Sequence, residues 1–196
     1  VLEGEEVSPI RGDFFGEHRV MPARVPLSAV RLLAPVDPSK VIAVGLNYQS
    51  HLGDREPAPE PGLFAKYPTC IVGTDADIVR PPDSKNLHYE GEMVIVIGRR
   101  AANVPVEEAA GYVFGVTAGN DVSERDWQSG DLQWFRAKAS DTFGPVGPVL
   151  VRGLNHNDLL LQTRVNGEVR QSERTRDLLF NVEEIVSYVS RYVTLL

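Results

Sequence analysis

Two glutamates stand one residue apart in the stretch "NLHYEGEMVIVIGRR", residues 86–100. Glu90 and Glu92 lie at the mouth of an apolar run that reads as a buried strand. Side chains alternate along a strand, so both carboxylates face the same way and lie within several ångströms of each other. Like charges at a partly buried edge repel, and each resists desolvation. Three outcomes relieve such a pair: a frayed and solvated strand end, protonation of one acid, or a cation between the two. A third acid, Asp121, stands at the end of the next β-type run, "GVTAGNDVSERDWQ". Neighbouring strands that end side by side would gather three carboxylates. An all-oxygen, thiolate-free set of this kind suits a hard divalent ion, Mg²⁺ first, then Mn²⁺ or Ca²⁺. Such a site leaves coordination positions open for a substrate.

The elements that must position these acids are mostly strands. Residues 40–48 form a buried-strand run, residues 75–83 a short strand closed by two prolines, and residues 92–98 and 112–122 runs rich in β-branched residues. Asn166-Gly167, between the alternating strands of residues 159–171, signals a two-residue hairpin. Residues 104–112 form a short helix, with Pro105 suited to the first turn and two glutamates at the favourable end of the dipole. The longest helix spans residues 181–196, with Asn181 as cap and Glu184 where a capping box wants an acid. The pattern is a β-rich α+β domain rather than an alternating parallel sheet. Residues 1–36 form a small N-terminal β segment and linker, punctuated by Gly and Pro, and residues 37–196 the main domain.

Composition narrows the classes. The 196 residues fit one full-sized domain with a small appendage. A net charge of −7 argues against an electrostatic nucleic-acid binder. No apolar run is long enough to span a bilayer, so no membrane partner is expected. The single cysteine, Cys70, rules out an internal disulfide and suits a reducing compartment, here the cytoplasm. Its setting in "YPTCIVG" reads as core packing.

The chain resembles the fumarylacetoacetate hydrolase family. The resemblance runs from about Lys40 to the last residue and rests on "VIAVGLNYQSH", "LFAKYP", "HYEGEMVIVIG", "AGNDVSERDWQ", "FRAKASDTFGPVGP" and "RVNGEVRQ", in that order. It implies a mixed β-roll sandwich with short helices, and Glu90, Glu92 and Asp121 as metal ligands. It also implies that His51 activates water, with Asp54 where other members carry a glutamate one methylene longer. Read alone, His51 is better explained as a polar loop histidine in a Gly-rich segment. Arg125 and Gln128 match positions near the substrate, although Arg125 could equally pair with Asp126 or Glu124 on the surface. Lys138 matches a lysine that faces substrate oxygens, and Lys66 a recurrent position with a substrate-binding or structural role.

The implied chemistry is that of a 2-oxo acid or enol substrate, held by the metal and stabilised as an enolate. The first expectation is hydrolysis of a carbon–carbon bond in an acylpyruvate-like substrate, because a candidate His–Asp dyad is present. Isomerisation or decarboxylation of a 2-hydroxy-dienedioate from aromatic-acid breakdown is the alternative, and a metal-stabilised interaction protein is the non-enzymatic one. A homodimer is expected. The family continues past its last helix into a strand with a Gly-Asp and a Thr-Gly-Thr-Pro turn, whereas this chain stops on two leucines. The resemblance therefore implies a C-terminal portion beyond Leu196.

Overall fold

The strand that carries Glu92 and directly follows Glu90, Gly91–Ile97, forms the edge of a four-stranded sheet. It pairs antiparallel with Val113–Asn120, which pairs antiparallel with Gly144–Val151, which in turn pairs in parallel with Ile71–Val72. This is the arrangement in a computed structural model that describes residues 1–196. Gly119 allows the close approach of the first two strands, since a Cβ there would lie 2.6 Å from Val94 Cγ2. Beside the sheet lie two antiparallel ribbons, Val41–Gly45 with Gly62–Lys66, and Leu160–Val165 with Glu168–Arg174. In the second, Asn166 and Gly167 both take positive φ (52° and 84°), as a twisted two-residue hairpin turn requires.

Helices are few and short. Val182–Ser190 is the longest, and its predicted capping box is present: the Asn181 side chain accepts from Glu184 N at 2.9 Å and Glu184 returns the bond to Asn181 N at 2.8 Å. Its apolar face meets Ala101, Val104 and Ala109, with Met93, Ile95 and Ile97 of the edge strand alongside. The first residues form a three-stranded sheet from Leu2–Glu3, Glu6–Val7 and Val25–Pro26, and a hairpin from Ile10–Gly12 and His18–Val20. The Phe14 and Phe15 rings rest on Phe114 at 5.2 and 4.8 Å. The molecule is β-rich α+β, and no helix is long and apolar enough to cross a membrane.

Four local expectations are corrected. Residues 75–83 form no strand. Asp75 turns the chain with φ of 60°, Pro81 and Pro82 lack donors, and Val79 N donates to Thr142 Oγ1 at 2.8 Å instead of to a ladder. The last helix stops at Ser190 rather than running to Leu196, because Leu195 is captured by a two-bond bridge to Ala101. Pro105 serves as the N-cap of Val106–Ala109, one position before the first turn. The strand Gly91–Ile97 is also mostly half-buried, with only Val96 fully enclosed, because it borders a cavity of about 650 Å³.

Candidate functional site

Glu90 and Asp121 are brought together by the backbone before their side chains meet. Asp121 N donates to Glu90 O at 2.8 Å, and Glu90 N donates to Asn120 Oδ1 at 2.9 Å, which extends the pairing of the two strands by one step. Two lysines then close on the carboxylates. Lys66, at the end of its strand, donates to Asp121 Oδ1 at 2.6 Å and to the Lys138 carbonyl. Lys138 donates to Glu90 Oε2 and to Asp121 Oδ2, each at 2.6 Å, with its ammonium 5.0 Å from the centre of the Phe64 ring. Both lysines are buried. Arg125 completes the group, with Nη2 2.5 Å from Glu90 Oε1 and Nη1 donating to Gln128 Oε1 at 2.7 Å. Arg125 therefore pairs with neither Asp126 nor Glu124.

The elements that carry these cations are fixed locally. Lys138 sits in the helix Phe135–Ala139, which opens after Trp134 in the left-handed region (φ 54°). For a bulky residue this conformation is costly and needs surrounding structure to hold it, and the Trp134 ring is braced edge-on against Phe64 at 5.3 Å. Arg125 begins the helix Arg125–Gly130, whose cap is the fully buried Glu124. Glu124 accepts from Ser84 Oγ, from Lys85 N and Asn86 N at 3.0 Å and from Asp126 N at 3.1 Å. Burial alone would raise its pKa, but these donors hold it below the ordinary carboxylate value.

Glu92 stands apart from this network. No protein group donates to it, and burial together with the nearby Asp121 and Glu90 charges pushes its pKa up to about 8. Burial also opposes ionisation of Glu90, yet its hydrogen bond with Asp121 and the charges of Lys138 and Arg125 hold it low. At Asp121 burial prevails over the two lysines and raises the value. The three carboxylates do not meet at ligand spacing, and the Lys138 ammonium stands between two of them. Their chemistry nonetheless fits a hard divalent cation: the donors are all oxygen, and Glu92 is a poorly solvated acid without a counter-charge.

Glu92, Asp121 and Lys66 form part of the wall of the 650 Å³ cavity, as do Tyr48 and His51. Glu90 and Arg125 do not line that cavity, and 20% and 31% of their side chains are exposed. His51 lies in the short helix Gln49–Leu52, its ring 5.7 Å from that of Tyr48. Asp54 makes no hydrogen bond to it. Gly53 (φ 58°) turns the chain between them, both side chains are exposed, and the His51 carbonyl accepts from Arg55 Nη2 at 2.7 Å. Tyr48 was not legible as a site residue, although it follows a strand end and lies three residues before His51. Burial first, then the Glu92, Glu173 and Asp177 charges, push its phenol up to about 12, so it remains a hydrogen-bond donor.

Residues 40–196 match the family model described as fumarylacetoacetate (FAA) hydrolase C-terminal, and residues 1–35 match one described as Rv2993c-like, N-terminal. A protein of Archaeoglobus fulgidus is 48% identical over 173 residues, 87% of this chain and 69% of its own length. The mitochondrial oxaloacetate tautomerase FAHD2A of Bos taurus is 42% identical over 179 residues, 87% of this chain but 57% of its own length. The crystal structure of a 2-hydroxyhepta-2,4-diene-1,7-dioate isomerase from Mycobacterium marinum superposes with a TM-score of 0.91 at 43% identity, over 97% of this chain and 73% of that one. The chain thus spans less than two thirds of several of the curated relatives it matches.

Proposed function

Because this chain belongs to the fumarylacetoacetate hydrolase family, we propose that it is an enzyme that moves a proton on the enol form of a short 2-oxo dicarboxylic acid, an isomerase or tautomerase. The observation that carries this reading is that Lys66, Glu92 and Asp121 share a cavity wall, with Lys138 bridging Asp121 to Glu90 behind it. A divalent cation, Mg²⁺ first, would be held by Glu90, Glu92 and Asp121, and when bound it supplies Lewis-acid polarisation of the substrate's keto oxygen. Lys66 and Lys138 would donate to substrate oxygens and stabilise charge as a proton leaves carbon. Arg125, steadied by Gln128, holds the Glu90 carboxylate from behind the cavity wall. Tyr48 supplies a neutral donor at the cavity wall, and His51 is the group placed to accept or return the proton.

Two features favour proton transfer over hydrolysis. His51 lacks the orienting bond from Asp54 that a water-activating dyad needs, and similar proteins carry the names oxaloacetate tautomerase and 2-hydroxyhepta-2,4-diene-1,7-dioate isomerase. Hydrolysis of an acylpyruvate stays as the second reading, because His51 lines the same cavity as Glu92 and Asp121. The experiment is a pair of assays on one preparation with Mg²⁺: enol-to-keto conversion of oxaloacetate, and cleavage of an acylpyruvate. Faster conversion without cleavage supports the proposal. Cleavage without conversion reverses the order of the two readings.

A further inference from the structure

The ribbon Leu160–Val165 with Glu168–Arg174 contributes no group to the proposed chemistry, yet it touches both halves of the site. Thr163 and Gln171 are directly opposite partners in it, beside a register shift between Thr163 and Arg164. Opposite residues share a face of a ribbon, and here that face lies on Gly91, the residue between the two glutamates. Gln171 Oε1 accepts from Gly91 N at 2.8 Å. A Cβ at Gly91 would collide with Thr163 Oγ1 and lie 3.3 Å from Gln171 Oε1, so only glycine admits the ribbon this closely. Two residues on, Glu173 points to the same face and accepts from Ser50 Oγ at 2.7 Å, next to His51.

We infer that Gln171 is a positioning residue: it holds the Gly91 amide and so fixes the relative placement of the Glu90 and Glu92 carboxylates. Gly91–Ile97 is an edge strand, and one side of its backbone has no strand partner. The side-chain amide of Gln171 takes the place of that partner at the one residue where a shift of the chain would part the two acids. The register shift in the ribbon aims Thr163 and Gln171 together at this point, which is a common use of an irregular pairing beside a site. The inference rests on the cation reading above, since that reading makes the acid spacing matter.

The test uses the full chain and Mn²⁺ as the probe. Gln171→Met keeps the size of the side chain and removes the oxygen acceptor, whereas Gln171→Glu keeps an oxygen there. Amide exchange followed by NMR should show Gly91 N–H exchanging about tenfold faster in Gln171→Met, and near the wild-type rate in Gln171→Glu. Mn²⁺ affinity, by calorimetry, should fall about 10–100-fold in Gln171→Met, the usual effect of removing an outer partner of a ligand, and recover in Gln171→Glu. Should Gln171→Met not fold, Gly91→Ala displaces the ribbon by steric means and should lower the affinity in the same way. Unchanged Mn²⁺ affinity in a folded Gln171→Met, or failure of Gln171→Glu to restore it, overturns the inference while the cation reading stands. If the wild-type chain takes up no Mn²⁺, the cation reading itself fails and the positioning role falls with it.

Discussion

The two halves of the site are built to different standards. On the carboxylate side, Lys66, Lys138 and Asp121 are nearly closed off from water and joined by two charge-assisted bonds of 2.6 Å, and Lys138 makes a third to Glu90. On the histidine side, His51 is exposed on a four-residue helix, and its ring makes no hydrogen bond to the protein. A buried ion pair is costly to break, because the surviving partner is left charged in a poor solvent. A loop histidine costs little to place and little to lose. The carboxylate side therefore couples function to stability, and the histidine side leaves them separable. On the proposed reading, charge is pre-arranged on one side while His51, the proposed proton carrier, stays free to adapt.

The contrast breaks most visibly at Lys138. Lys138→Met leaves Glu90 and Asp121 short of a donor each, and we expect a loss of about 3–5 kcal/mol of stability, with turnover abolished. Urea unfolding in chelator measures the first and a turnover assay the second. Next comes Glu124, which positions Arg125 through the cap. Glu124→Gln should cost about 1–3 kcal/mol. Its pH dependence has a definite sign. The folded-state value of Glu124 lies below its ordinary 4.5. Its contribution is therefore complete above that value and is lost as pH falls through the lowered one. Unfolding from about pH 6 down to about pH 3 should show the wild-type advantage over Glu124→Gln shrinking at the acid end. A gap that widens on acidification contradicts this account.

On the other side, His51→Ala should change stability by no more than about 0.5 kcal/mol while lowering turnover about 10²–10⁴-fold, with Mg²⁺ binding by calorimetry unaltered. The smallest effect belongs to Asp54. As it makes no bond to His51, Asp54→Ala should leave both unfolding and turnover within a few-fold of wild type. A loss at Asp54 as large as that at His51 would restore the dyad and with it the hydrolytic reading.

What the sequence made legible was local. Asn166-Gly167 fixes a turn by its own backbone preferences, Asn181 with Glu184 caps a helix three residues apart, and alternation around Glu90 and Glu92 marks a strand with two acids on one face. What stayed hidden was long-range. Lys66 and Asp121 are separated by 55 residues, and the Lys66 bond to the Lys138 carbonyl spans 72. No periodicity reports such pairings, so Lys66 read only as a recurrent position although it holds both Asp121 and the Lys138 carbonyl. Residues 75–83 had strand-like composition, but a left-handed Asp75 and two prolines outweighed it. The His51–Asp54 spacing was suggestive in one dimension only, since Gly53 between them turns the chain. Gln171 was visible in a motif, but its partner Gly91 is 80 residues away.

The central claim is that the carboxylate–lysine wall enolises a 2-oxo acid. Deuterium uptake at the carbon beside the keto group of oxaloacetate, followed by NMR in heavy water, tests it most directly. The account predicts uptake that is accelerated by the protein with Mg²⁺, suppressed by a chelator, and lost in both Lys138→Met and Glu92→Gln. Uptake at the protein-free rate with Mg²⁺ present, or full acceleration in a folded Glu92→Gln, would contradict it.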